Sequence, residues 1–78
     1  MKKVEYYYTD GISKNPSILN WLPAIIMLEN RKVTTYWVYT GVEWLKRDGN
    51  HQKLDSFRPI PKRISKRKAE EIMFLEGL

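Results

Sequence analysis

The sequence predicts a small α+β domain, in which an antiparallel sheet of three to four strands has a C-terminal helix packed on one face. The middle of the chain is dense in β-branched and aromatic residues, and short polar turns interrupt it, as is typical of strands. The last segment instead places its apolar residues at helical spacing. These patterns predict strands over about 3–8, 24–29, 32–46 and 51–57 and a helix over about 66–76.

The first strand is indicated by strict alternation, since Val4, Tyr6 and Tyr8 are separated by Glu5 and Tyr7. The chain after it is rich in glycine, serine, asparagine and proline, which favour a surface loop. Apolar residues over 17–22 predict one or two helical turns, which the following proline would end because it lacks a backbone donor.

A central hairpin is predicted because the polar stretch 29–32 separates two runs of strand-forming residues. The reversal is a two-residue loop at Asn30 and Arg31 or a slightly longer loop, since asparagine tolerates positive φ better than arginine does. With the short loop, the expected cross-strand pairs on one face are Leu28 with Val33, Ile26 with Thr35 and Ala24 with Trp37.

The second half of the sheet depends on two glycines. Gly41 interrupts the strand that begins near residue 32, and we expect a bulge or bend there with the strand continuing to about residue 46. Asp48-Gly49 is a strong hairpin signal, which predicts that residues 51–57 return as an edge strand protected by its lysine.

The C-terminal helix has its own signals. Residues before Pro59 and Pro61 are pushed into extended conformations, so the helix begins later. Ser65 is the predicted N-cap, and Gly77 is a natural stop. The apolar stripe of this helix consists of Ala69, Ile72 and Met73.

Length and composition limit the class of protein. A chain of 78 residues has room for one domain with a small core, which dimerisation would supplement, so a homodimer is one expectation. The absence of cysteine excludes disulfide scaffolds, thiolate zinc sites and cysteine nucleophiles. No run approaches the roughly 20 apolar residues of a membrane-spanning helix. We expect a cytoplasmic protein with no membrane partner, cofactor or metal.

The basic charge is concentrated in one part of the sequence. The whole chain carries +5, whereas residues 46–68 hold nine cations against Asp48 and Asp55. Three of those cations fall in the first helical turn, where the helix dipole disfavours them and a bound phosphate would offset the cost. The alternative is a solvated basic linker and helix start. The candidate phosphate-contacting residues are Lys46, Arg47, Lys53, Arg58, Lys62, Arg63, Lys66, Arg67 and Lys68.

Two kinds of partner fit this composition. We expect a small nucleic-acid-binding regulatory protein that contacts the phosphate backbone of DNA or RNA, with Tyr36 and Trp44 as candidate stacking residues. Aromatic residues on the strands of a small domain are more often part of its core. The rival function is a non-enzymatic inhibitor or adaptor that docks its basic face on an acidic protein surface.

One combination of residues suggests enzymatic chemistry. Glu43, His51 and Arg58 would serve as base, acid and phosphate clamp of a small ribonuclease if the second hairpin brought them together. Such triples occur by chance in most sequences, and a single histidine in a polar segment is usually solvated. We therefore expect no enzymatic activity.

Overall fold

The computed structural model describes residues 2–15, 17 and 21–76. The predicted α+β class is confirmed, and in this part of the chain the antiparallel sheet has five strands instead of three to four. The elements are β1 Val4–Thr9, β2 Ala24–Glu29, β3 Lys32–Tyr39, β4 Trp44–Asp48, a 3₁₀ turn Leu54–Ser56, β5 Lys62–Ile64 and α1 Lys66–Glu76.

The strands lie in the order β4-β3-β2-β1-β5, and every neighbouring pair is antiparallel. β2 occupies the centre, and its adjacent residues Ile25 and Ile26 are both fully buried. Successive side chains on a strand point to opposite faces, so both faces of the sheet are covered at β2. β4 and β5 form the two edges.

The turn between β2 and β3 is the predicted two-residue loop. Asn30 has φ 53° and Arg31 has φ 69°, the two positive values that a type I′ hairpin turn requires. The Asn30 side chain also accepts a hydrogen bond from the Lys3 amide at 3.0 Å, and the Asn30 amide donates to the Lys3 carbonyl at 2.8 Å. The turn is thereby tied to the segment that enters β1.

The hairpin register is confirmed at its turn and shifted beyond it. Leu28 lies opposite Val33 as predicted, but an irregularity between Met27 and Leu28 follows. The predicted partners of Ile26 and Ala24 are therefore wrong, because one extra residue on β3 moves every later pair by one position. The observed partners are Tyr36 for Ile26 and Val38 for Ala24.

The single strand predicted over 32–46 is wrong, because the chain reverses after residue 39. Gly41 has φ 98° and lies in a turn, not in a bulge. The Thr40 hydroxyl accepts the amides of Val42 at 3.4 Å and Glu43 at 3.3 Å, which stabilises the reversal. β4 then pairs with β3 as a separate strand.

The strand predicted over 51–57 is also wrong. The Gly49 amide donates to the Thr34 carbonyl at 3.1 Å, and the chain then turns and forms the 3₁₀ turn Leu54–Ser56. The reason is the spacing of Leu54 and Phe57. Residues three apart share one side of a 3₁₀ turn, whereas in a strand they would point to opposite faces.

The 3₁₀ turn and Phe57, which directly follows it, cover part of one face of the sheet. Phe57 is 6% exposed and packs edge-on against Tyr36, with ring centroids 5.2 Å apart and planes at 71°. Leu54 and Tyr7 are half-buried against the same cluster. The buried residues of this core cluster are Ala24, Ile26, Leu28, Val33 and Phe57.

The helix begins at the predicted residue. The Ser65 hydroxyl accepts the amide of Lys68 at 3.0 Å, which confirms the N-cap. Ala69 is fully buried, Ile72 and Met73 are half-buried, and the helix packs against β1. Among the described residues, no helix is long and apolar enough to cross a membrane. Of the short helix predicted over 17–22, residues 18–20 lie outside the described residues, and Trp21 and Leu22 belong to no helix. The predicted stop at residue 77 also lies outside the described residues.

Candidate nucleic-acid interface

The fold separates the nine candidate cations. Lys46 and Arg47 belong to β4 at one edge of the sheet, whereas Lys62 and Arg63 belong to β5 at the other. The two edges are four strand spacings apart, or roughly 19 Å. Lys53 lies at a third place, beside the β2–β3 turn. The basic segment 46–68 is therefore not one continuous surface.

The surroundings of Lys53 include two further cations. Lys53 lines a shallow depression together with Arg31 and Lys32, and Leu28 and Leu54 form part of its floor. All three cations are exposed. This small group is distinct from the two sheet edges.

A wide concavity lies where β1 and the segment before β5 diverge. Lys62 is opposite Tyr8, and from this pair the chain continues into residues 10–15 on one side and 58–60 on the other. The space between them is an open groove of about 880 Å³, which we call the β5 groove. Its lining includes four cations and one carboxylate. These charged residues are Lys14, Arg58, Lys62, Arg63 and Asp10.

Arg58 is held in place by the backbone of its own segment. Its guanidinium donates from Nη1 to the carbonyl oxygens of Asp55 and Phe57, the latter at 3.0 Å. Since Phe57 belongs to the core, the position of Arg58 at the groove is fixed by the packing of the sheet. A guanidinium carries five N–H donors, more than these two acceptors require. Arg58 thus has hydrogen-bonding capacity for a ligand.

Arg63 lies next to a buried carboxylate. Glu5 is 8% exposed, and its Oε2 atom accepts the Tyr7 hydroxyl at 3.1 Å and lies 3.8 Å from Arg63 Nη1. The Tyr7 hydrogen bond, with Lys3 and Arg63 nearby, lowers the pKa of Glu5 against the opposing effect of burial. Burial and the Glu5 contact raise the pKa of Tyr7. Glu5 therefore stays ionised and offsets part of the Arg63 charge.

The first turn of α1 extends the basic surface of the groove. Lys66, Arg67 and Lys68 are all exposed, and only Ser65 separates them from β5. Arg67 lies 3.6 Å from the carboxylate of Glu71 one turn later. A smaller depression lined by Lys66 shares Arg63 with the β5 groove. Arg63 thus connects the groove to Lys66 at the helix start, in a depression that Glu5 also lines.

The groove also has an apolar part that the sequence did not indicate. Ile12 is 62% exposed and Ile60 is 65% exposed, and both line the groove with Tyr8 and Pro59. Ile12 and Lys14 are more than 30 positions from the start of the basic segment 46–68. Only the fold brings them to it, and no local pattern marks either residue as part of a site.

The two candidate stacking residues are packed against other rings. Tyr36 is half-buried against Phe57 on the core face, as described above. Trp44 is half-buried with its ring centroid 5.1 Å from that of Tyr39. Tyr36 and Trp44 lie on β3 and β4, apart from the residues that line the β5 groove.

The residues of the ribonuclease triple are not brought together. Glu43 precedes β4 and His51 follows it, so the length of the strand separates them. Five strand residues span roughly 17 Å. Arg58 belongs instead to the β5 groove at the other edge of the sheet.

No protein-family model, no curated protein and no solved structure matches this chain. The chemistry of the groove is therefore the basis for inferring what the protein binds. That chemistry combines four cations, one carboxylate and two exposed isoleucines in a single concavity.

Proposed function

We propose that this protein is a non-enzymatic nucleic-acid-binding protein that contacts the phosphate backbone at the β5 groove and the adjoining first turn of α1. The observation that carries the proposal is the grouping of Lys14, Arg58, Lys62 and Arg63 around one open concavity. Phosphate contacts by lysine and arginine supply most of the affinity of sequence-independent binding, because they release condensed counterions. An overall charge of +5 favours the same kind of partner.

The helix start supports this proposal independently of the groove. Lys66, Arg67 and Lys68 occupy the positive end of the helix dipole, where each exposed cation costs about 0.3–1 kcal/mol. A phosphate group at this position would be attracted by the cations and by the helix dipole together. The unfavourable placement of three cations is thus offset when a polyanion is bound.

The proposal is tested by the salt dependence of binding to a labelled oligonucleotide, followed by fluorescence anisotropy. The double variant Lys14→Gln/Lys62→Gln removes two exposed groove cations. If each contacts one phosphate, the slope of log affinity against log salt falls by about one unit per lysine. Arg31→Gln/Lys32→Gln is the matched control, because it removes the same charge from the exposed β2–β3 turn.

The expected result is a loss of slope in the groove variant and a small change in the control. Equal losses in the two variants would show that only net charge matters and would refute the groove as the site. A third variant, Lys46→Gln/Arg47→Gln, measures whether the β4 edge contributes to binding. Absence of binding at low salt in the unmodified protein would remove the proposal altogether.

A second candidate function is favoured by the isoleucines of the groove. Ile12 and Ile60 beside four cations suit a peptide or protein surface that carries both carboxylates and aliphatic side chains. The protein would then act as an inhibitor or adaptor. Weak nucleic-acid binding at low salt, combined with binding of an acidic aliphatic peptide, would favour this function.

A further inference from the structure

We infer that the β5 groove is built for a single strand of nucleic acid and not for a duplex. The inference rests on the proposed function and adds the form of the ligand. It is carried by the juxtaposition of Ile12 and Ile60, both largely exposed, with Lys14, Arg58 and Lys62 around the same concavity. The binding of phosphates alone would not require this apolar surface.

The wall that carries Ile12 has a defined conformation. The Asp10 carboxylate accepts the Ile12 amide at 2.9 Å. Gly11 has φ 74°, and its carbonyl oxygen accepts the Trp21 amide at 2.6 Å. A Cβ atom at position 11 would lie 2.0 Å from the Trp21 carbonyl oxygen, so the close approach requires glycine. Ile12 is therefore held in its exposed position by the closure of the loop.

The opposite wall, which carries Ile60, is anchored at both ends. Phe57 is buried in the core and Arg58 donates to the carbonyls beside it. Pro61 is buried on the other side of Ile60, directly before β5. The two isoleucines thus stand on opposite walls of the groove, each on a segment fixed by its neighbours.

Single-stranded and double-stranded nucleic acid expose different chemical groups to the two walls of the groove. A duplex keeps its base faces stacked inside and offers phosphates, sugars and base edges, so Ile12 and Ile60 reach little apolar surface beyond sugars and thymine methyl groups. A single strand exposes base faces, which pack against apolar and aromatic side chains. With the bases against Ile12, Ile60 and Tyr8, the phosphates lie within the cationic surface of the groove.

The same walls would also accept an acidic peptide with aliphatic side chains. The charge balance favours nucleic acid, because four cations face one lining carboxylate and three more cations follow in the first turn of α1. The ion pairs of Arg63 with Glu5 and of Arg67 with Glu71 offset only part of this excess. A regular backbone of phosphates matches this density of positive charge. The peptide is therefore treated as one outcome of the test.

The test compares a single-stranded oligonucleotide of about 12 nucleotides with the duplex of the same sequence, at one low salt concentration. Anisotropy is measured for the unmodified protein, for Ile12→Ser/Ile60→Ser and for the control Val42→Ser. Val42 is 80% exposed in the β3–β4 turn and does not line the groove. Thermal unfolding verifies that each variant folds, since all three side chains lie on the surface.

The unmodified protein is expected to bind the single strand at least about tenfold more tightly than the duplex. Ile12→Ser/Ile60→Ser should abolish that preference by weakening single-strand binding, and Val42→Ser should leave it intact. Equal affinity for both forms, with no effect of the isoleucine substitutions, would overturn the inference. If Lys14→Gln/Lys62→Gln still weakened the binding of both the single strand and the duplex, the proposed function would stand without the single-strand preference. A third outcome is that the protein binds no nucleic acid but binds a peptide of alternating glutamate and leucine through the two isoleucines. That result would overturn both the single-strand inference and the proposed function.

Discussion

Replacing Phe57 with alanine tests whether the residue that follows the 3₁₀ turn covers one face of the sheet. Phe57 is 6% exposed, and its ring packs edge-on against Tyr36 at 5.2 Å. Truncation of a buried phenylalanine costs about 3–5 kcal/mol, of which the ring pair accounts for about 0.5–1.5 kcal/mol. A domain of 78 residues has a total stability of about 4–12 kcal/mol. The substitution should therefore remove at least a quarter of the stability and, at the low end of that range, nearly all of it.

Thermal and urea unfolding, followed by circular dichroism, measure this loss. The expected fall in Tm is roughly 12–40 °C, because 1 kcal/mol shifts the Tm of a domain of this size by about 4–8 °C. Phe74→Ala is the matched control, since Phe74 is 67% exposed on α1 and its removal should change stability by no more than about 0.5 kcal/mol. If the two variants lose equal stability, Phe57 does not cover the sheet and the core described above is wrong.

Three further substitutions test local features. Arg31→Gly should raise the unfolding free energy by about 1 kcal/mol, because φ 69° strains a residue with a Cβ; a decrease would contradict the type I′ turn. Ser65→Ala should cost about 1 kcal/mol through loss of the N-cap, whereas Ser65→Asp should retain it; equal losses in urea unfolding would argue against capping. Because the pKa of Glu5 is lowered in the folded protein, its stabilising contribution is complete above the ordinary value of 4.5 and is lost as pH falls through the folded value. Glu5→Gln should thus be less acid-sensitive, and identical pH dependence of Tm in the two proteins would count against the Glu5–Tyr7–Arg63 cluster.

The helix and the tight turn were predictable because their signals are local. Ser65 and the spacing of Ala69, Ile72 and Met73 are all contained within nine residues, and together they defined a helix over about 66–76. The two-residue loop at 30–31 depends likewise on adjacent residues, although arginine is an unusual choice at positive φ. Neither feature requires knowledge of distant contacts.

The rest of the sheet was less predictable because distant packing decides it. The extra residue on β3 changed the partner of Ile26 from Thr35 to Tyr36, and no pattern within the strand marks it. The spacing of Leu54 and Phe57 was a usable signal for the 3₁₀ turn, but the Asp48-Gly49 dipeptide favoured a hairpin in its place. β5 has three residues, too few for alternation to be distinguished from a basic linker.

The candidate site likewise has a part that residue type predicts and a part that only the fold determines. Residue type identified Arg58, Lys62 and Arg63 as cations available to a polyanion, and charge density alone suffices for that inference. The grouping of these cations with Lys14 and Ile12 depends on β1 pairing with β5, which joins segments about 50 residues apart in the chain. The homodimer and the choice between nucleic acid and an acidic protein surface stay predictions.

The most direct test of the β5 groove as the binding site is an NMR titration of the ¹⁵N-labelled protein with a single-stranded oligonucleotide. The groove and the helix start should respond together, so the largest amide shift changes are expected within residues 10–15 and 58–68. The amide shifts of β4 should change little, since β4 lies at the opposite edge of the sheet. The amide shifts of the β2–β3 turn should also change little, since this turn lies beside Lys53 and outside the groove. Shift changes concentrated at Lys46 and Arg47, or spread evenly over all exposed cations, would contradict the proposed site.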